Sequence, residues 1–318
     1  MNIHDIAKIS GYSVSTVSRV INNHDYVSDK TRQDIQKVIN HFDYVPNDVA
    51  RDLSNGKTYN IGVVLPHTDH PYYTQLVEGI ISAAFPAGYK IVMLPSKFEA
   101  DLEMDYLNRL RRKAYDAIIF TSHVIPLEEL LKYQQYGSIV ICHNPGDLNI
   151  AAAYTRRENS YMEAFNWIKS QGSQKIGILL NRDYSVSATA QKTFKSYEKI
   201  FGSTPDERLL KTDITTYQDG YDAAKQFHQN EYEPDIYFTN GDDIAAGVRQ
   251  FYLDNKLSVP KLIGQENQLS SKLLNIPTIN HHFHEVGKLA FELAINNEIK
   301  QLSVESEFIF RNQKNIEN

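Results

Sequence analysis

Val14, Ser15, Ser18 and Arg19 stand close together behind Ser13 in the segment GYSVSTVSRVIN. Ser13 can cap a helix on which Val17, Val20 and Ile21 turn inward, leaving those four side chains pointing out near its start. Short polar groups, a small apolar group and a forked cation at a helix N-terminus suit the base edges of a major groove. Valine offers apolar contact that fits a thymine methyl, and serine reads bases tolerantly. Arginine can grip guanine O6 and N7, or else a phosphate or a neighbouring carboxylate. A first helix must brace this segment. Ile3, Ile6 and Ala7 share one face, Asn2 can cap with Asp5 at the capping-box position, and Gly11 permits the turn. These two helices alone would also suit any hairpin with a polar face.

Further along, Ser28 caps a third helix to about residue 42, striped by Ile35, Val38, Ile39 and Phe42. Asn47 can cap a fourth helix of about two turns that ends in Ser54-Asn55-Gly56. Such a helix is too short to hold in water and is a candidate for folding on contact with a partner.

Other chemistry is weaker. His281-His282-x-His284, with His67 and His70 as extras, invites a metal, but adjacent residues on extended backbone face opposite ways. Cys142, the single cysteine, sits in the apolar run SIVIC and reads as buried and structural. There is no Gly-rich phosphate loop, Gly-x-Ser-x-Gly or metalloprotease motif, so no enzyme, cofactor or metal is expected. Asp242-Asp243 reads as a helix cap.

After Lys57 strands and helices alternate. Strands are expected at 61–65, 91–94, 117–120, 139–142, 176–180, 236–239 and 262–263. Helices are expected at 72–85, 102–112, 127–136, 158–170, 188–201, 217–228 and 244–255. This alternation predicts parallel sheets wrapped by helices, and 318 residues leave room for two or three domains. No apolar run is long enough for a membrane span, and no signal segment opens the chain. The formal charge of −6 does not advertise nucleic acid, and the first 57 residues balance seven Lys and Arg against seven Asp. A neutral head requires spatial sorting, with Arg19, Lys30, Arg32 and Arg51 facing a duplex, and it binds weakly unless doubled.

The strings SVSTVSRVINNHDYVSDKTR and YVPNDVARDL, followed by IGVVLPHTDHPYYTQLVEGI, resemble the LacI/GalR family of bacterial transcription regulators over nearly the whole chain. LPHTDHP, YQQYG and IGQEN resemble its catabolite-control branch. The resemblance implies an all-α helix-turn-helix head (1–45), a hinge helix and linker (46–58) and a two-lobed core like periplasmic sugar-binding proteins (59–318). Lobe one is expected at about 59–145 plus a late segment, and lobe two at about 150–278, with crossings at 144–153 and 278–284. It implies groove contacts from Val14, Ser15 and Arg19, beside outward Ser18, and backbone contacts from Thr16, Asn22, Tyr26, Ser28 and Thr31. At the hinge it implies a Leu53 wedge into the minor groove, with Ala50 beside it and Asn47 at the cap.

In the effector cleft the sequence departs from its relatives. His143 stands where an aspartate is frequent, Ala190 where an arginine is, Gly241-Asp242 for Asn-Asp, and Gly264-Gln265-Glu266 for Gly-x-Asp. Losing those forked groups weakens the expectation of an ordinary sugar inducer. Tyr72, Tyr73, His143, Glu266 and His282 remain candidates for a small ligand. Catabolite-control relatives imply a protein corepressor instead, serine-phosphorylated HPr. The resulting expectation is a cytoplasmic homodimer that represses carbon-source genes on a pseudopalindromic double-stranded operator. A sugar-type binding protein without DNA function is the alternative.

Overall fold

The computed structural model describes residues 1–46, 56–68 and 70–311. The chain divides into two compact units, Met1–Tyr59 and Asn60–Asn318. The hinge positions Asn47, Ala50, Arg51 and Leu53 lie outside the described residues.

The first unit carries α1 (Ile3–Ser10), α2 (Val14–Ile21) and α3 (Asp29–His41). Asn2 and Asp5 close a capping box on α1, and Gly11 ends it at φ 76, a left-handed conformation that glycine takes without a Cβ penalty. Ile6, Ala7, Val17, Val20 and Ile35 form the core between the three helices. Each fully buried aliphatic there stabilises by ~1.5–3 kcal/mol, so a handful of side chains holds the unit together. Phe42, placed by its spacing on the buried stripe of α3, instead caps the helix and stays exposed. Its backbone has already left the helical path, which turns the side chain off the stripe.

The second unit holds two six-stranded sheets. The first contains β1 (Asn60–Leu65), β2 (Lys90–Pro95), β3 (Ala117–Phe120), β4 (Ser138–Ile141), β5 (Ala151–Arg156) and β11 (Gln301–Glu305), in the order 11-5-4-3-1-2, all parallel. Helices α4 (Pro71–Ala84) and α12 (Phe283–Asn296) cover one face; α5 (Ala100–Arg111) and α6 (Leu127–Tyr133) cover the other. The second contains β6 (Ile176–Leu179), β7 (Leu210–Lys211), β8 (Ile236–Thr239), β9 (Lys261–Gln265), β10 (Thr278–Asn280) and β12 (Glu307–Ile309), in the order 12-10-9-8-6-7. Only its β12 edge is antiparallel. Its helices are α7 (Glu158–Ser170), α8 (Ala188–Phe201), α9 (Tyr217–Gln229), α10 (Asp242–Asp254) and the short α11 (Leu269–Leu273). Helices α4 and α12 meet backbone to backbone, since a Cβ at Gly79 would lie 2.0 Å from the His284 carbonyl oxygen and one at Gly287 would lie 2.2 Å from that of Leu76.

The chain passes between the lobes three times. The first passage is not at 144–153, as the sequence suggested. β5 still pairs with β4 and β11 in the first sheet, and the chain leaves only after Arg156. Backbone pairing on both sides holds this alanine-rich strand in place despite its poor strand propensity. The second passage runs through His281 and His282, between β10 and α12. The third, unforeseen, is Ser306 between β11 and β12. Ser306 also ties two passages together, because its backbone N–H and its hydroxyl both donate to the Arg156 carbonyl, at 2.9 and 2.8 Å.

Candidate nucleic-acid face and effector cleft

In the head, Ser13 Oγ accepts the Thr16 amide at 3.2 Å and so fixes where α2 begins. With the helix started there, Ser15, Ser18, Arg19 and Asn22 follow one another at helical spacing on the side opposite buried Val17 and Val20. Ser15, Arg19 and Asn22 are exposed, and Thr16 and Ser18 partly so. Val14 is not fully outward; it packs partly against the head core and offers only part of its surface. Arg19 makes no ion pair with any described residue. Tyr26 is 93% exposed in the loop after α2. Ser28 Oγ accepts the Thr31 amide at 3.3 Å, so the N-terminus of α3 presents amides and two hydroxyls together, which suits a phosphate. Arg32, expected to face a duplex, donates to the His24 carbonyl at 2.6 Å and ties down the loop between α2 and α3.

In the second unit a cavity of about 610 Å³ opens where strands of both sheets end. His67 and His70 follow β1, His123 follows β3, and His143 and Asn144 follow β4. From the other lobe Asn181 and Arg182 follow β6, Asn240 follows β8, and Gln265 and Glu266 end β9. Carboxyl ends of parallel strands are where such folds hold ligands. Tyr72, Tyr73, Phe283 and Val286 give one wall apolar surface.

Burial sets the electrostatics. It pushes the Glu266 carboxyl well above the usual range, with the Asp242 carboxyl adding to the effect. It holds His281 well below the usual imidazole value, and His143 at about 4 with help from His123, whose Nε2 lies 3.1 Å from that of His143. The Cys142 thiol is pushed up to about 12 and is inert at ordinary pH. His70 Nδ1 approaches Glu266 Oε1 at 3.9 Å, but that nitrogen already accepts the Tyr72 amide at 3.1 Å as the cap of α4. Its lone pair is engaged, so the approach is not an ion pair.

Two family models match the chain. One, described as bacterial regulatory proteins of the lacI family, spans residues 2–47; the other, periplasmic binding proteins and sugar binding domain of the LacI family, spans residues 58–304. Catabolite control protein B of Bacillus subtilis (strain 168) is 34% identical over 96% of this chain and 98% of its own length. The chain belongs to the LacI family of bacterial regulators. Catabolite control protein A of Priestia megaterium is 26% identical over 92% of this chain and 91% of its own. The lac repressor dimer bound to operator and the anti-inducer ONPF superimposes with a TM-score of 0.81 at 18% identity over 98% of each chain, a likeness of fold. As a LacI-family member the protein is a DNA-binding regulator of transcription and not an enzyme. Among the described residues no helix is long and apolar enough to cross a membrane.

Of the cleft positions singled out in this LacI-family sequence, Tyr72, Tyr73, His143 and Glu266 line the cavity. Ala190, Gly241, Asp242 and His282 do not. Ala190 is buried in the second lobe's core, its amide taken by Ser187 Oγ. Gly241 caps α10. Asp242 faces away, accepting from Thr278 Oγ1 and the Gln268 amide, both at 2.6 Å. His282 sits in a left-handed conformation at the start of α12 and turns toward Asn280 and Glu307, while buried His281 faces the cleft. Arg157, a forked cation from the first passage that the sequence reading did not single out, lines the cavity and stacks on Phe283 at 5.4 Å. The sequence signal was there in Arg156-Arg157 at the end of the segment AAAYTRR, but it has meaning only once that segment is known to be a strand. Among the described residues no group of His, Cys, Asp and Glu converges as a metal site.

Proposed function

We propose that two copies pair through their cores and set two heads on a pseudopalindromic operator, repressing carbon-source genes under effector control. The observation that carries this reading is the outward row Ser15, Ser18, Arg19 and Asn22 on a capped helix, in a chain of this family. A head with balanced charge gains little from phosphate neutralisation alone, so doubling it on a two-fold site is what makes specific binding tight. Arg19 reads a base edge; Tyr26, Ser28, Thr31 and Thr16 set the register on the backbone; Leu53 opens the central step from the minor groove.

A small molecule in the cleft is the favoured effector, because about 610 Å³ lies within the range of small-ligand sites. Such a ligand acts by preferring one angle between the lobes. Serine-phosphorylated HPr is the second reading, favoured by the 34% identity to a catabolite control protein. Gel shift of the full chain on DNA upstream of sugar-uptake genes tests the main claim. Specific retardation is expected, with loss on removal of residues 1–57 and on Leu53→Ala at an unchanged core melting temperature. Unchanged binding by Leu53→Ala refutes the hinge role. Adding phosphorylated HPr or small molecules to the same assay separates the two effectors.

A further inference from the structure

Resting on the reading of the cleft as an effector site, we infer that its ligand is a small anion bearing hydroxyl groups, a carboxylated or phosphorylated polyol, gripped by Arg157 and oriented by His281 and Glu266.

Charge comes first. Among the described lining residues the cations are Arg157, Arg182 and Lys192, and the single carboxyl is Glu266. Lys192 already pairs with Glu158 at 2.9 Å. Arg157 and Arg182 have no carboxylate partner among the described residues. Both guanidinium groups lie over aromatic rings, Phe283 and Phe98, each at 5.4 Å. One Arg157 nitrogen reaches Thr189 Oγ1 at 3.4 Å, which leaves most of its fork for a ligand. Burial raises the Glu266 carboxyl well above the usual range, which weakens it as a counter-charge to these cations.

Hydrogen bonding comes second. Gln265 Nε2 donates to the Thr239 carbonyl at 2.9 Å, which fixes its Oε1 as an acceptor. That oxygen takes the Tyr161 hydroxyl at 3.0 Å and lies 2.9 Å from His281 Nε2. His281 Nε2 must therefore carry the ring proton, and Nδ1 is a bare acceptor. This Nδ1 is buried without a partner, in a residue only 2% exposed that lines the cavity. Glu266 Oε2 is likewise buried without a partner, in a residue 5% exposed. Two orphaned buried atoms on one cavity wall are costly unless a ligand satisfies them. One ligand hydroxyl can donate to His281 Nδ1, and another can satisfy Glu266 Oε2. Glu266 also holds φ at +88, disfavoured for a residue with a Cβ, and its carbonyl is pinned by Gln75 Nε2 at 3.1 Å from the other lobe.

Placement gives the ligand leverage. Arg157 lies on the first passage between lobes and His281 on the second. An anion held by one and hydroxyls held by the other bind differently at different lobe angles, which is the requirement for shifting a two-state equilibrium.

Calorimetric titration of the full chain with gluconate, sorbitol 6-phosphate, sorbitol and inorganic phosphate tests this. At least one of the two charged polyols should bind at least about tenfold tighter than sorbitol or phosphate, the factor expected of a charged hydrogen bond. Which one binds tells carboxylate from phosphate. Arg157→Met should lose about tenfold or more at an unchanged melting temperature. Glu266→Gln, which keeps a neutral donor and acceptor, should stay within about threefold. Sorbitol matching the charged polyols, phosphate alone matching them, or no binding by either charged polyol at millimolar concentration overturns the inference. Because DNA retardation of the unaltered full chain is read separately, a failed titration beside an intact gel shift rejects the ligand class and leaves the regulator reading standing.

Discussion

The head and the cleft build recognition in opposite ways. In the head the exposed row from Ser15 to Asn22 comes from a single helix, and the core behind it is made by neighbours close in sequence. In the cleft no two principal groups come from one element: Arg157 follows β5, Glu266 follows β9, and His281 follows β10. A local surface survives whatever leaves its helix intact. An assembled one depends on every strand register and on all three passages between lobes. The head therefore exposes its chemistry to solvent, whereas the cleft withdraws its groups from water and changes their protonation.

Ile35→Asp should break this comparison most severely. An uncompensated carboxylate among Ile6, Val17 and Val20 costs about 4 kcal/mol or more, enough to unfold so small a unit. Calorimetry should then show the low transition of the head gone and that of the core unmoved; a shifted core transition would mean the two units do not fold separately.

Acid should probe the cleft next. His143 is held at about 4 in the fold against 6.5 free, so the unfolded chain takes up the proton first. Its contribution is fully present above pH 6.5 and is lost as pH falls toward 4, by up to ~3 kcal/mol for such a shift. Urea unfolding from pH 7 to 4 should show this loss in the native chain and a flatter limb in His143→Gln. Parallel limbs would place His143 in contact with water.

Arg19→Ala should weaken specific DNA binding by ~1–3 kcal/mol while leaving the melting temperature and cleft titration untouched. Lys30→Ala, which removes an exposed cation from the first turn of α3, is the control: it should weaken all sequences alike and reduce the salt slope by about one. A salt slope left unchanged by Arg19→Ala would make Arg19 a base reader; a slope reduced as in Lys30→Ala would make it a phosphate contact. The smallest effect is expected from Ser13→Ala, which removes the cap of α2 and should cost about 1 kcal/mol of head stability.

The same contrast explains what the sequence revealed. Caps at Asn2, Ser13 and Ser28 were legible because a cap is a matter of four consecutive residues. β-Branched runs marked β1, β3 and β4 for a similar reason. β5 was hidden in Ala151-Ala152-Ala153, whose strand character comes from its neighbours β4 and β11. The half-polar β11 and β12 and the helix α12 between the second and third passages were also passed over, since each is specified by what it packs on. Missing β5 shifted the first passage, and with it went Arg157. His281 was lost to its neighbour because nothing in a pair of histidines says which one the backbone turns inward. Glu266 and His143 were found through the family resemblance, which marks the positions just past β9 and β4.

Both sheets wait for the same late stretch of chain. Residues 301–309 supply an edge strand to each, parallel to β5 in one and antiparallel to β10 in the other. During synthesis the head, a compact unit with its own small core, emerges first, while neither half of the second unit has its last strand until residue 309 has cleared the ribosome. A nascent chain thus passes through a period in which it owns a finished DNA-facing unit but no finished means of pairing or sensing. A head of balanced charge gains little from phosphate contact alone, so such unfinished copies are expected to bind DNA weakly.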